Sequence, residues 1–349
     1  MKGYAMRCNE IFACEMPFRK AERFLKSVAI TFSAIFAIAY LTAPSWATVV
    51  TFGSGVNSFD MVFVTIGNPG NTPDTMGTPN PAGGVGYVYG IGKYEVSEDM
   101  INKFNASQSL QVYTDLRGAQ KPATSVSWNE AARFVNWLNT NTGNFPAYNF
   151  ATTGVNDPIV PWSSLEPLDY DPLNPYRSKR TTYALPSDNE WYKAAYYNPG
   201  QDNYFLYPTG SDSEPISVTE GTAPGTAVYN LVSQGPADVD KAGGLSPYGV
   251  MGLGGNVHEL EETSFDFLND SGLSSKAIRG GYWSSDSLDL RSTFRSSSGF
   301  HANKYPWWGF RVVALSPQGG GGGGQVPEPT TLAIVALGAT CMACRRRQH

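Results

Sequence analysis

The sequence predicts an α+β fold rich in loops, and two observations carry that expectation. The 349 residues include 37 Gly, 24 Pro, 19 Tyr and 8 Trp, which indicates many turns around aromatic packing rather than a helix bundle. The periodic segments are mostly short apolar runs bounded by turn residues, with helix signals in three places. A hydrophobic share of 41% is enough for a core, so the chain is not a disordered one.

In chain order, the apolar runs 48–52 and 61–66 are separated by Gly and Asn and read as a strand pair. Residues 67–86 form a long Gly/Pro/Asn/Thr loop. Residues 87–96 alternate aromatic or apolar side chains with Gly or polar ones and predict a strand. Ser97 is placed to cap a helix starting at Glu98, with Met100, Ile101 and Phe104 on one face. Ser127 with Glu130, and Ser187 with Glu190, are capping boxes that open two more helices. Their apolar faces hold Ala131, Phe134, Val135 and Leu138 in one, and Trp191, Ala194 and Ala195 in the other. Residues 140–180 read as a Pro/Asn/Asp-rich insertion, and short strands and turns dominate beyond 200.

Both ends differ from this body. Residues 1–47 read as a signal peptide. Arg19, Lys20, Arg23 and Lys26 precede an apolar run from Val28 to Leu41, and Ser45 and Ala47 supply small residues for cleavage before Thr48. Export through the inner membrane with removal by signal peptidase is the expectation. At the other end a Gly-rich linker (317–325) leads to Pro327-Glu328-Pro329, a short apolar stretch from Leu332 to Ala343 and three terminal arginines. Residues 326–349, in that order of features, resemble the PEP-CTERM sorting signal of Gram-negative bacteria. The resemblance implies transient membrane insertion, processing by an exosortase, delivery to the cell surface or beyond, and a producer of extracellular polysaccharide.

The body between these ends, residues 48–316, is acidic and carries no electrostatic footprint for nucleic acid. It also lacks cysteine, because Cys8, Cys14, Cys341 and Cys344 all lie in the end segments.

Several spaced phrases then coincide: Gly92-Lys93-Tyr94-Glu95-Val96-Ser97, Pro122 to Trp128, Tyr183 to Trp191, Tyr248 to Glu259, Arg279-Gly280-Gly281-Tyr282-Trp283 and Gly309-Phe310-Arg311-Val312-Val313. In this order they resemble the formylglycine-generating enzyme, or sulfatase-modifying factor, family over about residues 60–315. The resemblance implies a single α+β domain related to the C-type lectin fold. Arg279, Arg291, Arg295 and Arg311 are expected to pair with carboxylates such as Glu190 and Glu259. Gly280-Gly281 are expected in a strand that passes close to other backbone.

Family members that make formylglycine hold copper(I) with two cysteines shortly after the Arg-Gly-Gly phrase, because soft thiolates suit that ion. Here Ser285 and Leu290 occupy those positions, so copper chemistry is not expected. Non-haem iron chemistry needs a histidine cluster, and the body has only His258 and His301, with packing beside Glu259 the expected role of His258. The serines 284, 285 and 287 and the acids Asp286 and Asp289 do not by their types make a hydrolase. The resemblance implies calcium through Glu259 and the carbonyls of Gly255 and Val257, with Gly252 standing where the family has Asp or Asn. A second site would use Asn230 and Leu231. Tyr305, Trp307 and Trp308 are candidates for stacking on a sugar, with core packing as their other role. The sequence therefore points to an exported, non-catalytic module binding polysaccharide or an envelope protein. A formylglycine-generating oxidase, or another enzyme on the same fold, is the alternative.

Overall fold

The alternation along one strand organises the interior. In the computed structural model, which describes residues 47–231 and 235–315, strand β2 (Phe59–Ile66) pairs antiparallel with β1 (Ala47–Phe52), placing Thr48 opposite Phe63. Because successive side chains point to opposite faces, Phe59, Met61 and Phe63 enter one apolar cluster, while Val64 and Ile66 enter another. β3 (Tyr89–Gly92) continues the sheet on the other edge of β2. The predicted strand over 87–96 is thus shorter than expected.

The first cluster is covered by two helices. α1 (Glu98–Ser107) starts at Ser97, whose hydroxyl accepts from the Met100 amide, and it buries Ile101 and Phe104. α2 (Trp128–Asn141) has both halves of its capping box, Ser127 with Glu130, an arrangement worth about 1 kcal/mol. Phe134 of α2 lies over Phe59 at 6.2 Å between centroids and meets Phe310 edge-on at 5.7 Å. The second cluster is built on α3 (Asp188–Tyr196), opened by the Ser187–Glu190 box, with Trp191, Tyr192 and Tyr196 buried against Val64, Tyr89 and Ile91. The three helices and the first strand pair are those the sequence predicts.

Between α2 and α3, β4 (Tyr183–Ala184) is the only strand among the described residues. The short strands β5 (Tyr197–Asn198) and β6 (Asn203–Tyr204) then pair, as do β7 (Ile216–Ser217) and β8 (Thr226–Ala227). Next come β9 (His258–Ser264), β10 (Lys276–Arg279), β11 (Ser296–Ser297), β12 (Trp308–Gly309) and β13 (Val313–Ala314). The main sheet runs β1-β2-β3-β13-β4, and a second sheet runs β11-β10-β9-β12. Most of the described chain is therefore loop, as the Gly and Pro content requires.

Gly280 and Gly281 are not in a strand. They form the turn after β10, with φ of +91° and +73°, and a Cβ on Gly281 would lie 2.7 Å from Leu290 Cδ1. Among the described residues no helix is long and apolar enough to cross a membrane. The expected signal peptide, the linker and the Leu332–Ala343 stretch lie outside the described residues, except that Ala47 opens β1.

Candidate functional site

β9 carries the sequence His-Glu-Leu-Glu-Glu, and its three glutamates are all buried. A buried carboxylate is costly unless paired, and here each lies beside a guanidinium. Glu259 takes two N–H groups of Arg311, each at 2.5 Å, and the Trp191 indole N–H at 2.8 Å. Arg311 also donates to the carbonyls of Gly92 and Met251. Glu262 accepts from Arg177, Tyr148 and Asn174, and Arg177 reaches on to both oxygens of Glu190. Glu261 lies 3.3 Å from Arg279, which also donates to Asp188 at 2.8 Å. Burial and the nearby Asp188 carboxylate raise Glu261 well above the usual range. Asp188 is buried too, yet Arg279 and its other donors keep it low. Arg295 bonds the carbonyls of Ser264 and Phe265, and Arg291 the Tyr207 hydroxyl. The expected pairing with carboxylates holds for Arg311 with Glu259, for Arg279 with Asp188 and Glu261, and for Arg295, 3.4 Å from Asp188. Glu190 goes instead to Arg177, a residue in no sequence phrase.

This bonding changes the calcium expectation at Glu259. Both its oxygens are committed to a fully buried guanidinium and an indole, so a divalent cation there would have to displace Arg311. The misfit lies at the carboxylate and not at the carbonyls of Gly255 and Val257: the Gly255 amide donates to the Gly280 carbonyl at 2.6 Å, which leaves its own carbonyl out of that bond. Gly252, with φ of +75°, is filled by Glu95. A Cβ there would sit 2.4 Å from Glu95 Oε1. The residues present do not fit a resident calcium ion at this place. Asn230 (φ 58°) and Leu231 adjoin the undescribed residues 232–234, with their amides on the carbonyls of Ser285 and Trp283. No group of three or more His, Cys, Asp or Glu among the described residues is arranged to hold a metal ion.

The two positions expected to replace copper ligands are built into the scaffold. Ser285 is buried. Its hydroxyl donates to Asp289 at 2.7 Å and accepts from the Tyr282 amide at 3.2 Å. Burial raises the Asp289 carboxyl. Leu290 closes a short 3-10 turn (Ser287–Leu290) that Asp286 caps, and it is fully buried with Tyr207, Ala227 and Tyr229. A hydroxyl and an isobutyl group offer nothing to a soft monovalent copper ion.

Beside this turn lies an aromatic face. Tyr282 and Trp307 stack at 5.6 Å, Tyr305 lies 5.2 Å from Trp307, and Trp283 meets Tyr282 edge-on at 5.4 Å. Arg117 lies over Trp283 at 4.9 Å and also reaches Asp115 and the Pro306 carbonyl. Tyr305 is 38% exposed and Trp307 half-buried, whereas Trp308 is only 4% exposed, packed on Tyr305 and paired with β9. Trp308 is thus a core residue, and Tyr282 takes its place on the face. His258 lies beneath, 5.2 Å from Tyr282 and stacked on Phe294. Burial lowers it to about 4, so its ring is neutral at pH 7. His301 is remote from it in role, bonded to Asn129.

An α+β body with two large interior clusters, two smaller ones, and loops riveted by buried arginine–carboxylate pairs is the class that this geometry defines. The chain belongs to the sulfatase-modifying factor enzyme 1-like domain family, whose profile matches residues 57–315, and a PEP-CTERM protein-sorting motif matches residues 325–347. That motif marks an exported protein sorted to the cell surface by exosortase-type machinery. No curated protein matches the chain. Among solved structures it is similar to Treponema denticola variable protein 1, at 16% identity over 77% of this chain and 98% of that one, with a TM-score of 0.52. PvdO from Pseudomonas aeruginosa is 17% identical over 78% of this chain and 99% of its own, with a TM-score of 0.46. A protein described as CarF is 16% identical over 77% and 96%, with a TM-score of 0.45.

Proposed function

We propose that this domain is a non-catalytic binding module, displayed outside the cell, that takes a polysaccharide of the envelope or matrix on its aromatic face. The observation that carries this reading is the state of positions 285 and 290. One is a serine tied to Asp289 and the other a leucine sealed in a core cluster, and the body holds no cysteine to replace them. Oxidation of a substrate thiol through a two-thiolate copper(I) centre has no ligands here.

The face of Tyr282, Tyr305 and Trp307 supports the binding half of the reading. Aromatic planes offer apolar area with polar edges, which matches the alternating CH and OH faces of a sugar ring. The neutral His258 ring behind them is not a proton donor at pH 7. Its Nδ1 has no hydrogen-bond partner, and the Ser285 hydroxyl is engaged by Asp289, so these two residues form no serine–histidine relay.

Two assays on the purified protein test this together. Incubation with a Cys-Xaa-Pro-Xaa-Arg peptide, copper and oxygen is expected to leave the peptide mass unchanged, while a cysteine-bearing relative converts it. Retention on immobilised extracellular polysaccharide is expected to fall about tenfold in Trp307→Ala, with the unfolding midpoint close to that of the parent. Aldehyde formation in the first assay, or equal retention of the variant in the second, overturns the proposal.

A further inference from the structure

Arg117 stands at the rim of the aromatic face and touches both chain segments that carry its rings. The guanidinium lies over Trp283 at 4.9 Å, and its Nη2 donates to the Pro306 carbonyl, between Tyr305 and Trp307, at 3.4 Å. Nη2 also donates to Asp115 at 3.3 Å. The donors on Nε and Nη1 meet no acceptor among the described residues. Nη1 lies next to the exposed Gly235, where a Cβ would come within 3.1 Å of it. Lys304, which precedes Tyr305 in the chain, is engaged by Glu130.

An ordinary surface arginine swings in solvent, whereas this one is fixed at its root. Its amide donates to the buried Glu98 carboxylate at 2.9 Å, and the Gly118 amide donates to the other oxygen at 2.8 Å. On the other side Asp115 accepts from the hydroxyls of Thr124 at 2.8 Å and Ser125 at 2.6 Å, and the Ser125 amide donates to the Tyr305 carbonyl. Between these anchors Leu116 has φ of +56° and an 80% exposed side chain. A leucine in the left-handed region is strained, and it stays there only where its neighbours dictate the backbone. No burial of Leu116 offsets that strain. The turn's effect is to set Arg117 against Trp283.

Asp115 is saturated by two hydroxyls and Arg117, while the guanidinium keeps donors without acceptors. Asp115 and the acidic body also weaken long-range attraction of anions to this rim. A ligand with one carboxylate held at short range suits that balance better than a densely charged chain.

We propose that the saccharide taken on this face is acidic: a hexuronate whose ring lies on Tyr282 and Trp307 and whose carboxylate meets the free donors of Arg117. This rests on the reading of the face as a sugar platform. Trp283 is the step between the two contacts, 5.4 Å from Tyr282 and 4.9 Å from Arg117. A hexuronate carries its carboxylate at the edge of the ring, so the ring stacks while the acid reaches sideways. A guanidinium group matches a carboxylate in shape and charge, and such charge-assisted hydrogen bonds are about twice as strong as neutral ones.

The test measures calorimetric affinity of the purified full-length protein at pH 7 for oligogalacturonate, oligomannuronate and oligoglucuronate, each beside its methyl ester. At least one acid is expected to bind about tenfold tighter than its ester. Arg117→Gln is expected to bring that ratio to about one. Arg117→Lys, which keeps the charge and loses the fork, is expected to leave it at about threefold, and it decides if Arg117→Gln does not fold. Equal binding of acid and ester by the native protein overturns the proposal, as does no binding of any acid. So does an Arg117→Gln variant that loses both forms alike and keeps their ratio, since Arg117 would then only support Trp283. If the acid preference fails but retention on a neutral polysaccharide still falls in Trp307→Ala, the sugar-platform reading stands. Loss of all saccharide binding ends both.

Discussion

Replacing Glu95 by Gln removes one titration from the interior and little else, since the amide keeps an oxygen for Asn256. In the native protein burial, with a smaller contribution from Glu259 and against the pull of Arg311, lifts this carboxyl from the ordinary 4.5 to about 7. The folded chain therefore retains a proton that the unfolded chain releases above pH 4.5. Stability contributed by that proton is fully present below pH 4.5 and is lost as pH rises through about 7. At about 1.4 kcal/mol for each tenfold change in proton affinity, the displacement corresponds to about 3 kcal/mol. The expected result is a native protein that loses up to about 3 kcal/mol, relative to Glu95→Gln, between pH 4.5 and pH 8. Urea unfolding of both proteins at the two pH values measures the difference directly. A difference that is the same at both, or that grows in favour of the native protein at pH 8, would falsify the account of Glu95 as an unpaired buried acid.

Lys276 is expected to behave in the opposite sense. Its amine is buried without a hydrogen-bond partner, over the rings of Tyr176 (3.7 Å) and Trp128 (4.5 Å). Burial lowers it from 10.5 to about 7, although the two ring faces favour the charged form. The unfolded chain then binds the extra proton, so stability rises from pH 7 toward pH 10; Lys276→Met flattens that rise and raises the urea midpoint at pH 6. A midpoint lowered at pH 6 contradicts this. Gly252→Ala combines a left-handed φ with a methyl group 2.4 Å from Glu95 Oε1. It is expected to cost about 2 kcal/mol or more, visible as a Tm lower by about 5 °C, and an unchanged Tm would show that Glu95 readily leaves this space.

The local parts of the fold were legible in the sequence because their causes are local. Ser127 and Glu130 sit three residues apart, and that spacing alone writes a helix start, as it does for Ser187 and Glu190. The alternation in β2 likewise announces a strand. Partners brought together by topology were not legible. Arg177 lies in an insertion with no periodic pattern, yet it joins Glu190, 13 residues further on, to Glu262, 85 residues further on. Glu95 and Gly252 belong to two recognised phrases, but only the folded chain shows that one side chain occupies the other's missing volume. For the aromatic face, sequence reasoning found Tyr305 and Trp307. It could not separate Trp307 from Trp308, because Trp307 ends a turn and Trp308 begins β12, and the β12–β9 pairing that draws Trp308 inward is made by topology. The signal for Tyr282 was present in the Arg-Gly-Gly-Tyr-Trp phrase, where the two turn glycines are followed by a half-buried Tyr282 and a buried Trp283.

The buried arginines of β9's surroundings have a bearing on where such a protein lives. Outside a cell the water is not buffered for minerals, and its salt content swings between rain and brine. Salt weakens attraction between charges that it can reach, and Arg311, Arg279 and Glu259 are out of its reach. A loop tied down by a mineral ion depends on what the surroundings supply, whereas a loop tied down by a guanidinium group brings its own cation with it.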